Sequence, residues 1–185
     1  MFDPFGEPGA PRFCRSDTQM IVQYILDDRL GVGSSSGVFF LSPRNEGRVA
    51  FIKHDLWPAI EMMGAMVIYV DLQADPSADP GSVIREAIMR AAGFQRWATV
   101  QTLIDLSNEV KKPIVMIIDE VQHALSSEDG RNALWALKAC RDQLNSSGHY
   151  GLRIMAISPD QDALTMLTYN KRAAFFCAPI IVVDI

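Results

Sequence analysis

The segment Val38-Phe-Phe-Leu-Ser-Pro-Arg-Asn-Glu-Gly-Arg-Val49 decides the fold of this 185-residue chain. It starts with four consecutive apolar residues, continues through a turn-forming stretch, and leads into an amphipathic helical pattern. Continuous apolar runs without period-two alternation are typical of parallel strands that helices cover on both faces. The segment therefore predicts a strand, a loop and a helix of an α/β domain.

Further apolar runs of the same kind alternate with helical patterns along the chain. The predicted strands are residues 38–41, 66–72, 114–118, 152–157 and 180–183. The predicted helices are residues 17–29, 48–63 with a break at Pro58, 81–92, 97–110, 131–144 and 161–167, with a turn at 126–130. We expect a three-layer α/β fold: a five-stranded, mostly parallel sheet with helices on both faces, and ligands at the carboxyl ends of the strands.

Composition limits the class of protein. An apolar fraction of 49% with 21% charged residues is typical of one soluble globular domain, here residues 1–185 with 1–16 as an N-terminal extension. No apolar run is long enough to span a bilayer and no signal sequence is evident, so a cytoplasmic location is expected. A net charge of -5 disfavours non-specific binding of nucleic acid.

The loop after the first predicted strand has the spacing GxxxxGK[ST] of a phosphate-binding P-loop. In a working P-loop, glycines let backbone amides surround phosphate, lysine reaches the outer phosphates, and a hydroxyl ligates Mg²⁺. Gly47 is retained, whereas Arg48 replaces the lysine and Val49 the hydroxyl residue. Ser42 stands at the first glycine position and Glu46 adds negative charge. The candidate nucleotide-binding residues are Ser42, Pro43, Arg44, Asn45, Glu46, Gly47, Arg48 and Val49.

The loop alone would equally fit an ordinary strand-turn-helix connection, but the third predicted strand favours a nucleotide site. It ends in Asp119-Glu120, and an apolar strand that delivers two acids is the Walker B arrangement. There Asp119 would hold Mg²⁺ and Glu120 would polarise the attacking water. The alternative is that Asp119 caps the next helix and Glu120 lies in its first turn.

Over nearly its whole length the sequence resembles the AAA+ ATPases, in particular prokaryotic members near the origin-recognition and STAND-like branches. The segments that carry the resemblance are Phe5-Gly-Glu-Pro with Arg12-Phe-Cys-Arg-Ser-Asp17, in which Cys14 stands where glycine is usual; Pro43-Arg44 with Phe51-Ile52 and Asp55-Leu-Trp-Pro-Ala59; Tyr69-Val-Asp-Leu72 with Ala74-Asp-Pro-Ser-Ala-Asp-Pro-Gly81; and Ile118-Asp-Glu-Val-Gln122.

The resemblance implies roles for two more residues. Ser158, at the end of the fourth strand, corresponds to the polar sensor near the γ-phosphate. Arg172 lies where an arginine finger often occurs, although a surface arginine fits that position equally well. The chain stops at Ile185 after the fifth strand, so the usual helical lid is expected to be absent, either naturally or by truncation.

Three functional hypotheses remain open. The leading one is an AAA+-like domain impaired in ATP hydrolysis that serves as a regulatory or scaffolding module, pairing with itself or with a competent ATPase. The second is an active or weakly active ATPase that binds ATP and Mg²⁺ through Arg48, Asp119 and Glu120. The third is a module that binds protein or nucleic acid without nucleotide.

Overall fold

The computed structural model describes residues 12–26, 37–93, 99–146 and 148–184. Within these ranges six strands form one sheet: β1 (Arg12–Cys14), β2 (Val38–Leu41), β3 (Met66–Asp71), β4 (Ile114–Asp119), β5 (Leu152–Ser158) and β6 (Ile180–Asp184). Their order is β1-β6-β2-β5-β4-β3, and every neighbouring pair is parallel. The predicted α/β architecture with a parallel sheet is confirmed.

The sheet has one strand more than the five predicted. The additional strand, β1, pairs with β6 through the register Arg12↔Val182 and forms an edge of the sheet. Only three residues long and mostly exposed, it produces no apolar run from which a strand could be recognised. Residues 12–14, which the sequence analysis assigned to an N-terminal extension, therefore belong to the sheet.

Seven α-helices lie in the described part of the chain: α1 (Thr18–Leu26), α2 (Glu46–Phe51), α3 (Trp57–Met62), α4 (Pro80–Ala92), α5 (Thr99–Val110), α6 (Glu128–Ser146) and α7 (Gln161–Thr168). The turn predicted at 126–130 is shorter than expected, because α6 already begins at Glu128. A short 3₁₀ segment, Val121–Leu125, turns the chain before it. The hydroxyl of Ser127 then accepts a hydrogen bond from the N–H of Gly130, as an N-cap does.

The helix break predicted at Pro58 was wrong. One π turn, Ile52–Leu56, joins α2 to α3, so the helical segment continues from Glu46 to Met62. The N–H of Trp57 bonds to the carbonyl of Ile52, five residues back. This wider turn immediately before Pro58 accommodates a residue that lacks an N–H and whose ring would clash with a regular helical turn.

Both faces of the sheet are covered, as the continuous apolar runs predicted. Along β4, Ile114, Met116 and Ile118 pack into a core with α4 to α7, while Val115 and Ile117 pack into a second core with α1, α2 and α3. Every residue of β4 is buried. The loops that follow β2, β4 and β5 leave this packed sheet at the same edge. No described helix has the length and apolar character that crossing a membrane requires.

Candidate phosphate-loop site

Three strands deliver the candidate site residues to one edge of the sheet. Leu41 of β2 is in register with Ser158 of β5, and Ile157 of β5 is in register with Asp119 of β4. Because all three strands are parallel, the loop after Leu41 and the side chains of Asp119 and Ser158 meet at their carboxyl ends. This is the edge at which the sequence predicts ligand binding.

Arg48 is the centre of the site. Although charged, its side chain is only 1% exposed. Its Nη2 donates to Oε1 of Glu120 and lies 3.2 Å from Oδ1 of Asp119, while Nη1 donates to the carbonyl of Ser42 at 3.0 Å. Both acids are as buried as the arginine. Arg48, Asp119 and Glu120, called the Arg48 cluster below, therefore neutralise one another inside the protein.

Glu120 adopts the left-handed backbone conformation, with φ of 58°. For a residue other than glycine this conformation is uncommon and costs roughly 1–2 kcal/mol. Several contacts hold the side chain there: besides Arg48, Nε2 of Gln122 donates to Oε2 at 2.6 Å, and Nη1 of Arg44 lies 3.9 Å from the same oxygen. The conformation thus aims Glu120 at the phosphate loop.

Ser158 joins the cluster through Gln122. The hydroxyl of Ser158 donates to Oε1 of Gln122 at 2.7 Å and accepts from the N–H of Asp160 at 2.9 Å. Gln122 in turn donates to Glu120. A polar chain therefore runs from the end of β5 to the acid at the end of β4, and it links the predicted sensor residue to the predicted catalytic acid.

Asp119 is bound on its other side by Tyr69 of β3. The Tyr69 hydroxyl donates to Oδ2 of Asp119 at 3.2 Å, and the N–H of Glu120 donates to Oδ1 at 3.0 Å. Burial raises the pKa of Asp119 to about 6, against the opposite effect of Arg48, and the negative charges of Asp71 and Glu120 raise it further. Burial also raises the pKa of Tyr69, with the charge of Asp119 as the next cause.

The sequence analysis offered helix capping as an alternative role for Asp119. The 3₁₀ segment Val121–Leu125 has Glu120 at its N-cap position and receives no capping hydrogen bond from a side chain. The contacts of Asp119 instead run to Arg48, to Tyr69 and to the N–H of Glu120. The observed geometry thus differs from a helix cap.

The remaining candidate residues are distributed around the cluster. Asn45 caps α2, its Oδ1 accepting from the N–H of Arg48 at 2.7 Å. Pro43, Arg44 and Glu46 are exposed, whereas Gly47 and Val49 are half-buried. The buried hydroxyl of Ser42 has no hydrogen-bond partner within the described residues.

Arg172 lies apart from this site. It lines a surface pocket with Arg131 and Trp135, and none of the contacts given for the described residues joins it to the Arg48 cluster. An arginine finger acts on the site of a neighbouring subunit, so this placement leaves that role untested.

Two contacting residues, Tyr69 and Gln122, were not among the predicted site residues. Gln122 follows Glu120 by two positions, and Tyr69 is in register with Ile117, two residues before Asp119, on the neighbouring strand. Alternation along strands places Tyr69 on the face of the sheet that Asp119 shares. Pairing of the second and third predicted strands would have revealed Tyr69, whereas nothing in the sequence marks Gln122.

Within the described residues, no three His, Cys, Asp or Glu side chains are grouped so that they could hold a metal ion by themselves. A Mg²⁺ ion at this site would thus depend on Asp119 together with bound phosphate. The two acids and Arg48 are the groups with which a P-loop domain would contact nucleotide and Mg²⁺, and here they contact one another.

Comparison with known proteins identifies the fold. No protein-family model and no curated protein sequence matches the chain. Solved structures do. The ORC2 protein of Aeropyrum pernix, in ADPNP-ADP complexes, is 17% identical with a TM-score of 0.68, over 98% of this chain and 50% of that one. The ORC1 protein of the same organism, in complex with DNA, is 14% identical with a TM-score of 0.60, over 97% and 46%.

A third similar structure is the Walker-type ATPase PABY2304 of Pyrococcus abyssi, 13% identical with a TM-score of 0.58 over 95% of this chain and 56% of that one. The present chain therefore spans about half the length of the structures that it matches. At these identities the likeness concerns the fold. Together with the strand order and the position of Asp119 and Glu120, it identifies the chain as a domain with the P-loop fold of the AAA+ ATPases, in the form found in the ORC proteins.

Proposed function

We propose that this domain is an AAA+-type module impaired in ATP binding and hydrolysis, and that it serves as a regulatory or scaffolding unit for a protein partner. One observation carries the proposal. Arg48, at the lysine position of the phosphate loop, is buried and pairs with both acids at the end of β4. The charges that a working site directs at phosphate, Mg²⁺ and water are here directed at each other.

The energetics of opening the cluster support this proposal. Removing one partner of a buried ion pair typically costs about 3–5 kcal/mol, because the remaining charge is left without compensation. Since each 1.4 kcal/mol is a factor of ten, the same penalty would weaken nucleotide binding roughly 10²- to 10³-fold. Binding would be restored only to the extent that phosphate and Mg²⁺ repay the lost contacts.

Two features of the loop reduce that repayment. The N-terminus of a helix binds phosphate through its free N–H groups, but Asn45 already accepts a hydrogen bond from the N–H of Arg48. Val49 occupies the position whose hydroxyl would ligate Mg²⁺, and it has no ligating atom. Arginine also differs from lysine in having a larger, planar charged group, so the replacement alters the geometry of any phosphate contact.

A specific observation favours a second candidate, a weakly active ATPase. The chain of hydrogen bonds from Ser158 through Gln122 to Glu120 connects the residues that would sense the γ-phosphate and polarise water. Arg44 is 45% exposed and lies 3.9 Å from Glu120, so a second cation is available to the acid if Arg48 turns toward phosphate. In this candidate Arg48 and Asp119 would bind ATP and Mg²⁺.

Partners are proposed from chemistry and fold together. One of the similar structures is described as a complex with DNA, but this chain carries a net charge of -5, which opposes binding to a phosphate backbone. We favour a protein partner, either a second copy or a competent ATPase.

ATP turnover and ATP binding, measured on the same preparation, distinguish the candidates. Phosphate release and equilibrium dialysis with labelled ATP and Mg²⁺ would be compared among the wild type, Arg48→Lys combined with Val49→Thr, and Glu120→Gln. The impaired module predicts background phosphate release in all three proteins and tighter ATP binding only in the double variant. Turnover by the wild type that Glu120→Gln abolishes would instead establish the ATPase.

A further inference from the structure

A second concave site lies on the surface between α6 and the segment that follows α7. It has a volume of about 150 Å³, and its lining includes the buried side chains of Leu134 and Leu167 and the exposed side chains of Trp135 and Met166. Trp135 is 46% exposed and Met166 is 65% exposed. We call this the Trp135 pocket. A cavity of this volume with an apolar lining accommodates a group of about the size of benzene.

Two arginines, Arg131 and Arg172, also line the Trp135 pocket. Both are exposed, and among the described residues neither forms an ion pair with a carboxylate. Arg131 donates to the carbonyl of Leu125 at 2.7 Å, which fixes its guanidinium beside the pocket. The pocket therefore combines an apolar recess with two positive charges, on a domain whose net charge is negative.

We propose that the Trp135 pocket binds a segment of a partner protein that presents one large apolar side chain, phenylalanine or leucine, flanked by acidic residues. The recess fits the apolar side chain, and Arg131 and Arg172 complement the acids. Arginine suits this task because its planar group binds carboxylates in a two-pronged geometry. Aromatic residues, methionine and arginine are also the types enriched at protein interfaces.

The lining favours a peptide over nucleic acid. Single-stranded nucleic acid binds through aromatic faces on which successive bases stack, along a positively charged groove that follows the backbone. The Trp135 pocket has one aromatic side chain, and aliphatic residues form most of the rest of its lining. It lies apart from the Arg48 cluster, so the proposal does not depend on whether the domain binds ATP.

Fluorescence anisotropy with a labelled peptide, Gly-Asp-Glu-Phe-Asp-Glu-Gly, tests the proposal in the absence of nucleotide. Two control peptides carry alanine in place of phenylalanine, or lysine in place of the acids. We expect the first peptide to bind with a Kd below about 1 mM, and each control at least tenfold more weakly. Trp135→Ala, Met166→Ala and Arg172→Ala should each weaken binding about tenfold, and raised salt should weaken it further.

Matched variants separate the pocket from general surface effects. Lys171→Ala, adjacent to Arg172 but outside the pocket, and Met62→Ala, an exposed methionine at the end of α3, should bind the peptide like the wild type. Thermal unfolding of each variant verifies that it is folded, and the three pocket variants provide independent readings if one is not.

Several results would overturn the proposal. These are no binding of the acidic peptide at millimolar concentration, equal binding of the lysine peptide, or unchanged binding by all three pocket variants. Tighter binding of a twelve-nucleotide single strand that Arg172→Ala abolishes would assign the pocket to nucleic acid. A dimer in sedimentation that Trp135→Ala dissociates would assign it to a second copy of this chain.

Discussion

Arg48 donates a buried hydrogen bond to Glu120, which lies 72 residues later in the chain. The arginine belongs to the helix after β2 and the acid follows β4, and β5 separates these two strands in the sheet. The bond thus joins the phosphate-loop half of the site to its acidic half. It makes the charges of the site part of the stability of the fold, which leads to measurable consequences.

Arg48→Ala should destabilise the protein strongly. The substitution leaves Asp119 and Glu120 as two buried carboxylates without their cation, so the free energy of unfolding should fall by about 3–5 kcal/mol. Urea denaturation at pH 7 measures the change. Arg90→Ala, at an exposed position in α4, is the matched control and should stay within about 0.5 kcal/mol. A loss below about 1 kcal/mol for Arg48→Ala would show that the cluster is not a structural unit.

The pH dependence of stability should reveal Asp119. Its pKa in the folded protein is about 6, above the ordinary value of 3.8, so the native state retains a proton that the unfolded chain releases. Stability from this group is complete below about pH 4 and is lost as the pH rises through 6. A pKa difference of about 2 corresponds to about 3 kcal/mol.

Asp119→Asn removes this titration. Urea denaturation between pH 4 and 7 should therefore show the wild type losing up to about 3 kcal/mol more than the variant over that range. Carboxylates elsewhere titrate in both proteins and cancel in the difference. A constant difference between the two proteins across the range would mean that the pKa of Asp119 is not raised.

Gln122 should be needed to connect Ser158 with Glu120. Gln122→Leu leaves the Ser158 hydroxyl and one Glu120 oxygen without their partner, and each such loss in a buried site costs about 1–3 kcal/mol. Gln101→Leu is the control, because Gln101 is exposed and bonds only locally, to Asp105. If both leucine variants unfold at the same urea concentration, the hydrogen-bond chain adds nothing to stability.

Gly130→Ala should disturb the segment that follows Glu120. A Cβ at this position would lie 2.4 Å from the carbonyl oxygen of Ala124, in the 3₁₀ segment Val121–Leu125. Overpacking of this kind typically costs about 1–3 kcal/mol. Asn132→Ala, exposed in the same turn of α6, should change stability by less than about 0.5 kcal/mol. Equal thermal unfolding of the two variants would contradict the close packing.

Much of the fold follows from local patterns in the sequence. The run Val38–Leu41 was predicted with its observed bounds, and the other four predicted strands differ from the observed ones by one residue at their carboxyl ends. Each is a buried parallel strand, for which a continuous apolar run is a strong signal. Strand β1 was missed because three exposed or half-buried residues give no such run.

The site was predictable in its members but not in its contacts. Motif spacing identified Arg48, Asp119, Glu120 and Ser158, and parallel strands bring them to one edge. That the arginine turns inward to the acids depends on the packing of α2 against the sheet, which spacing does not encode. The continuous helix through Pro58 was missed for a similar reason, since a π turn leaves no local sequence signal.

The central claim is that the Arg48 cluster keeps ATP out, and thermal unfolding with and without millimolar ATP and Mg²⁺ tests it most directly. A ligand present at 100 times its Kd would add about 2.7 kcal/mol to the stability of the folded state. We predict no upward shift of Tm for the wild type, and a shift for Arg48→Lys combined with Val49→Thr. A clear upward shift for the wild type that Arg48→Ala abolishes would contradict the claim, because it would mean that Arg48 binds phosphate.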